Sequence, residues 1–423
     1  MKVMNTTKPY CPVSKRCGAC QLLHIPYETQ LTNKQREIEE LFAPFMEKDT
    51  LINPIAGMDN PFHYRNKVTS PYAPGKKRGT SGSKHGQGRR SGSKGARAPR
   101  EIRCGMYAGG SHHIIENDTC LIENQSAKQV VLAIRSLMQR YGIEPYDEDS
   151  GQGFIRHVIV RISHQRNEML VTLVTNGEKF VGAKNFSREL VKRCPQITTI
   201  VQNVNTRKTN VIMGDAKEHV LYGPGFILDT LCDLSFRISS RSFYQVNADQ
   251  TEVLYRRAIE MAHLTGSETV LDAYCGTGTI GLVAARGLSG KDEAHAKFVV
   301  GVDNVASAIN DAKNNARHNG IDNAEFFTGD AGEFMVDMSA SDRSLDVVLM
   351  DPPRSGASEA FLRATCTLLP RRIVYVSCNP TTQVRDVEFL AENGYSVCEI
   401  QAVDMFPHTN HIESIVALSR RTG

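Results

Sequence analysis

The spacing of apolar and polar residues divides the chain into zones. From Tyr27 to about Met46 the period is helical, with Leu31, Ile38, Leu41 and Phe42 on one face and Gln, Lys and Glu on the other. From about Ile102 to Ile238 the pattern is mainly one of strands. His157–Ser163 and Met169–Thr175 alternate as strands around the turn-like His164–Glu168, and Ile197–Asn203 and Asn210–Gly214 read as further short strands. Helices are expected near Gln125–Tyr141 and Asn185–Arg193. From about Ser239 to Gly423, strands at Thr269–Asp272, Phe298–Val302, Ala324–Phe327, Asp346–Met350, Ile373–Val376, Ser396–Ala402 and Ile412–Leu418 alternate with helical segments. That alternation predicts an α/β domain, a mostly parallel sheet covered by helices on both faces. Lys76–Arg100 has neither periodicity nor a large apolar residue. It cannot bury enough surface to order itself and reads as a flexible basic loop.

A length of 423 residues suggests two domains, or three. The expected division is 1–238 and 239–423, with the 27–46 helix able to pack on the second. No apolar run of about 18 residues suggests a membrane span. Met1–Tyr10 lacks the apolar core of a secretory signal, so the cytoplasm is the default compartment. The net charge is +4, but 76–100 holds nine Lys or Arg and no acid, so the remainder carries 4 − 9 = −5. Eleven cysteines in a long chain without a leader do not suggest a disulfide framework.

Val270-Leu-Asp-Ala-Tyr-Cys-Gly-Thr-Gly-Thr279 is an apolar strand entering a glycine turn and then a helix, Ile280–Arg286. Gly276 and Gly278 let the backbone turn tightly and approach a ligand. A second strand ends at Asp303, 25 residues after Gly278, where a carboxylate can accept from ribose hydroxyls. Strand, glycine turn, helix, second strand and terminal acid are together read as an S-adenosylmethionine site. Asp351-Pro-Pro-Arg354 and Ser377-Cys-Asn-Pro380 follow two further strands, and Glu413 begins the last one. Ligands sit at the carboxyl ends of strands in such sheets, so Asp351, Cys378 and Glu413 are expected on one rim.

These motifs resemble the RNA uracil-C5 methyltransferases, particularly the iron–sulfur members that act on 23S ribosomal RNA. The likeness is carried by Cys11…Cys17-Gly-Ala-Cys20-Gln-Leu-Leu-His24, Tyr64-Arg-Asn-Lys67, Ser242-Phe-Tyr-Gln-Val-Asn247, Asp272-Ala-Tyr-Cys-Gly-Thr-Gly278, Asp351-Pro-Pro-Arg354, Ser377-Cys-Asn-Pro380 and Asp404-Met-Phe-Pro407 through Glu413. It implies a Rossmann-like class I methyltransferase domain with a seven-stranded sheet, beside a β-rich RNA-binding domain carrying an iron–sulfur cluster. It makes Cys378 the nucleophile and Glu413 the base that removes the C5 proton. Gln245, Tyr274, Asp303 and Asp351 match S-adenosylmethionine-binding positions, with Asp330 near the adenine. The implied partner is 23S rRNA, free or in an assembling subunit, and a monomer is expected.

Cys11-x5-Cys17-x2-Cys20 supplies three thiolates, and a cubane takes four. Spacing alone leaves iron–sulfur and zinc open. The resemblance implies a [4Fe–4S] cluster with Cys120 as fourth ligand and Cys104 as the alternative. A radical enzyme would favour a C-x3-C-x2-C run instead. Cys194, Cys232, Cys275, Cys366 and Cys398 lie in apolar stretches and are expected in the core. Tyr64, Arg65, Lys67, Arg156 and Arg161 are expected on the RNA surface. Several family members also carry a small extra RNA-binding domain before the cluster, and only ten residues precede Cys11 here. The 76–100 segment is expected to supply the missing affinity. The alternatives are a tRNA T-loop uracil methyltransferase, whose bacterial form lacks the cysteines, and a non-catalytic RNA-binding assembly factor.

Overall fold

The computed structural model describes residues 10–77, 100–288, 295–340 and 344–421. Most of the expected basic loop, 78–99, lies outside them. It connects the antiparallel strands Lys67–Lys77 and Arg100–Cys104, whose register pairs Lys77 with Arg100. Among the described residues no helix is long and apolar enough to cross a membrane.

The larger sheet has eight strands, not seven. Their order is Leu51–Ala56, Tyr395–Val403, Glu413–Arg420, Arg372–Ser377, Val347–Met350, Thr269–Ala273, Phe298–Asp303 and Ala324–Thr328. Glu413–Arg420 runs antiparallel to both neighbours, and the other pairs are parallel. The strands are continuous apolar runs because both faces are covered. Val270, Val347, Leu349 and Val374 enter one core, while Leu271, Val348, Met350 and Tyr375 enter the other.

The eighth strand comes from the N-terminal region, and so does part of the second core. Ile38 and Phe42 of the helix Tyr27–Phe42 belong to the same core as Leu271 and Tyr375. A break at 238/239 therefore does not separate the two sheets. The helix buries Gln30 and Lys34 along with Ile38 and Phe42. The polar half of that face was not foreseen from the apolar pattern.

The smaller sheet has six strands, in the order Arg100–Cys104, Lys67–Lys77, Ile155–Ile162, Met169–Thr175, Ile197–Val204 and His219–Tyr222. It packs on the helices Gln125–Tyr141 and Ala183–Arg193. Asn124 caps the first of these by accepting from the N–H groups of Ser126 and Ala127. Asn210–Gly214 is not a strand. It is a loop whose carbonyls at Val211 and Ile212 accept from Asn205 Nδ2 at 2.7 and 2.9 Å. A hairpin absent from the sequence reading, Phe226–Leu231 with Leu234–Ser239, turns through Cys232 and Asp233, both at positive φ. Its inner residues Ile227, Leu231, Phe236 and Ile238 join the larger sheet's core.

Candidate functional site: one cavity at the carboxyl edge of the sheet

Strand Thr269–Ala273 leads into a turn in which Tyr274, Gly276 and Gly278 have φ of 62°, 54° and 76°. Glycine relieves the steric cost of that conformation at two of the three positions. A Cβ on Gly278 would also lie 2.7 Å from the Phe326 ring. One on Gly276 would meet no protein atom within 4 Å, and Gly276 lines the cavity. Asp303 spans the turn, its carboxylate accepting from the N–H groups of Gly276 at 3.0 Å and Val305 at 2.8 Å. Asp330 caps the helix Ala331–Ser339 by accepting from Gly332 and Glu333. The Tyr274 ring lies 5.6 Å from that of Phe361.

The strands Val347–Met350, Arg372–Ser377 and Glu413–Arg420 bring Asp351, Cys378 and Glu413 to the same edge. Glu413 is buried, and burial with the nearby Asp351 charge pushes its carboxyl well above the usual range. The half-buried Cys378 thiol is raised by burial and by the Glu413 and Asp351 charges. Arg354 opposes both shifts. Burial alone pushes Asp351 up to about 7. Asp272 also rises to about 7 through burial, against a bond from the Gly281 N–H at 2.9 Å.

Arg354 belongs to the Asp351-Pro-Pro-Arg354 run, but that its charge acts on both the Cys378 thiol and the Glu413 carboxyl is a property of the fold. Its guanidinium lies 3.0 Å from His411 Nδ1. Burial, then the charges of Arg354, Lys34 and Arg65, hold His411 below its usual pKa. Its ring is thus favoured neutral, with Nδ1 as the acceptor.

Gln245, Tyr274, Gly276, Asp303, Asp330, Asp351, Cys378 and Glu413 all line one cavity of about 2060 Å³. Gly278 sits behind it, packed on Phe326. The open space at Gly276 and the surrounding carboxylates fit a nucleoside bearing a cationic sulfonium and amino group.

Three of the five residues expected on an RNA surface, Tyr64, Arg156 and Arg161, are buried. Arg156 is buried, donating to the carbonyls of Asn205 and Arg207 at 2.9 and 2.7 Å and stacked over Tyr146. Arg161 is buried and donates to Ser242 O at 2.6 Å. Both hold loops rather than face solvent, because their extended side chains satisfy carbonyls left outside the strands. Tyr64 is buried too, its hydroxyl donating to Pro407 O. Arg65 reaches the cavity wall. Lys67 is held down to about 8 by burial and the charges of Arg161 and Arg65.

Cys11, Cys17, Cys20 and Cys120 share one neighbourhood. Burial and the charges of Cys120, Cys17 and Cys11 push Cys20 up to about 12. Burial and the Glu123 charge push the Cys120 thiol up, against the N–H groups of Glu123 and Ile122, which act in the opposite sense. The thiols do not close on a common centre. Cys17 Sγ lies 3.6 Å from Met106 Sδ, and among the described residues no three His, Cys, Asp or Glu are grouped as a metal ion requires. Cys104 is elsewhere, in the core of the smaller sheet. Cys194, Cys232 and Cys275 are buried, whereas Cys366 and Cys398 are half-buried.

A methyltransferase-domain family model matches residues 264–413. A protein of Halalkalibacterium halodurans named as an uncharacterized RNA methyltransferase is 42% identical over 409 residues, covering 96% of this chain and 82% of that one. One from Bacillus cereus with the same description is 39% identical over 423 residues, 99% of this chain and 85% of that one. Among solved structures, the Pyrococcus abyssi tRNA (uracil-54, C5)-methyltransferase in complex with S-adenosyl-L-homocysteine matches with a TM-score of 0.72 at 26% identity, covering 95% of this chain and 85% of that one. Sheet order, glycine turn and cavity together define a class I S-adenosylmethionine-dependent methyltransferase. Within that class, the chain belongs to the RNA methyltransferases.

Proposed function

We propose that this RNA methyltransferase methylates C5 of a uracil in folded RNA, with Cys378 as transient nucleophile and Glu413 as base. The observation that carries the reading is the grouping of Cys378, Glu413, Asp351 and Arg354 on the cavity that also receives the glycine turn. The uracil-C5 activity of the Pyrococcus relative supports the choice of atom.

C5 of uracil is a poor nucleophile. The Cys378 thiolate adds to C6, forming an S–C6 bond and an enolate whose electron density rises at C5. S-adenosylmethionine, when bound in the cavity, supplies an electrophilic sulfonium methyl. Once C5 has taken that methyl, the Glu413 carboxylate removes the C5 proton. The electron pair left behind re-forms the C5–C6 double bond and expels the thiolate. Arg354 favours the ionised forms of both residues. Burial gives ionised Glu413 a higher proton affinity than a surface carboxylate has. The target base has to leave its stack to reach Cys378.

Two RNA substrates have support. The sequence motifs resemble 23S rRNA enzymes, and the structural relative acts on tRNA. The four N-terminal thiols are the ligand set we assign to a [4Fe–4S] cluster. Their mutual proximity supports the assignment. The cluster would join residues 11–20 to residue 120, and the proposed reaction needs no electron from it. The basic 76–100 segment would add phosphate contacts.

The test is transfer from labelled S-adenosylmethionine to unmodified 23S rRNA and to unmodified tRNA, beside Cys378→Ala. Label recovered as 5-methyluridine and lost in the variant supports the reading, and the labelled RNA identifies the substrate. Transfer that survives in Cys378→Ala overturns it.

A further inference from the structure

We propose that Lys34 is a positioning residue for the proton-removal step: its ammonium clips together the two ends of the 404–411 loop and thereby sets Glu413. The inference rests on the reading of Glu413 as the base.

Lys34 Nζ donates to Asp404 Oδ1 at 2.7 Å and to the His411 carbonyl at 2.9 Å, with the lysine side chain 3% and the aspartate 0% exposed. One ammonium thus joins the first and last residues of the loop. Its second acceptor lies two residues before Glu413. The ring of that same His411 holds Arg354, the cation beside Cys378 and Glu413.

The same helix adds further fasteners. Tyr27 OH donates to Asp404 Oδ2 at 2.8 Å, and Gln30 Oε1 accepts from the His408 N–H at 3.1 Å. Tyr27, Gln30 and Lys34 fall at helical spacing on one face. Just upstream, the Leu22 N–H donates to His408 O at 2.9 Å, and Phe62 stacks on the His408 ring at 4.9 Å. The N-terminal region therefore holds a loop more than 340 residues away in sequence.

The buried ammonium needs acceptors beyond Asp404, and the one it takes is the carbonyl two residues before the base. The extra bond fixes the backbone leading to the base. Small displacements of a reacting group slow the step it performs, so loosening this clip should slow removal of the C5 proton and spare the steps before it.

The experiment follows the covalent RNA–protein adduct on a denaturing gel, using labelled S-adenosylmethionine and the RNA methylated in the assay above. Glu413→Gln is the reference. It should accumulate methylated adduct, and if it does not, the assignment of the base fails independently of the clip. Lys34→Met should accumulate the same adduct, with turnover reduced on the order of tenfold and S-adenosylmethionine affinity unchanged. Lys34→Arg should restore part of the turnover. A Lys34→Met enzyme that loses turnover without adduct, or keeps wild-type turnover, overturns the proposal. Should Lys34→Met not fold, Lys34→Met/Asp404→Asn, which buries no charge, is judged on the same gel by the same criteria.

Discussion

Asn379 Nδ2 donates to the Arg354 carbonyl at 3.0 Å, tying the loop that carries Cys378 to the loop that carries Asp351. Thr382 Oγ1 donates to the same carbonyl at 3.1 Å. The bond crosses between neighbouring strand ends and so helps to place the thiol relative to Arg354. Asn379→Ala should lower kcat by roughly 10- to 100-fold, since the reacting groups lose their mutual placement. Affinity for S-adenosylmethionine, measured by calorimetry, should stay close to wild type. An equal loss in both would mean that the bond supports the whole cavity.

Binding of the methyl donor should depend on pH through Asp351 on the cavity wall, and stability through both Asp351 and the buried Asp272. Burial holds each folded-state carboxyl up to about 7, against an ordinary value of 3.8. The folded protein therefore keeps protons that the unfolded chain has released. The stability linked to those protons is full below about pH 4 and is lost as pH rises through about 7. A bound sulfonium gains from ionised carboxylates, so S-adenosylmethionine affinity should rise from pH 6 to 8 while the free protein's Tm falls. Asp351→Asn should flatten the affinity profile. Affinity that declines over that range would show that the donor does not sit against Asp351.

Gly278→Ala should damage the fold of the turn. The added Cβ would meet Phe326 at 2.7 Å and Ala312 at 3.0 Å, in a backbone with φ of 76°. A cost of roughly 1–3 kcal/mol is expected in chemical denaturation. Gly276→Ala has open space around its Cβ. It should cost about 1 kcal/mol and lose donor affinity out of proportion to that. Equal stability losses for the two would argue against the role of Phe326.

Iron content separates the cysteines. Reconstituted anaerobically, the wild type should bind about four irons, and Cys20→Ser or Cys120→Ser should lose the visible absorbance of the cluster. Cys104→Ser, in the core of the smaller sheet, should retain it. Zinc in place of iron, by elemental analysis, would replace the cluster with a tetrahedral site on the same thiols.

Much of the larger sheet could be read from sequence because its strands are buried on both faces and appear as short apolar runs ending in glycine, proline or acid. The Leu51–Ala56 strand was not, since its residues are only partly buried and carry a proline. The 226–239 hairpin escaped because its turn is Cys-Asp rather than a glycine turn. Arg156 and Arg161 resembled an RNA surface because charge is visible in a sequence and burial is not.

The sequence by itself determined the local chemistry: a glycine turn where the backbone needs positive φ, the residues at the strand ends, and three thiols within ten positions. Those features depend on neighbours a few residues apart. Only the tertiary structure decided that the Arg354 charge acts on both Cys378 and Glu413, that Cys120 rather than Cys104 joins the other thiols, and that Lys34 closes the loop before Glu413. Each of these joins elements brought together by packing, and hydrophobic burial is non-directional. Which polar groups meet is fixed when the layers assemble, because a buried donor left without an acceptor costs more than the bond contributes.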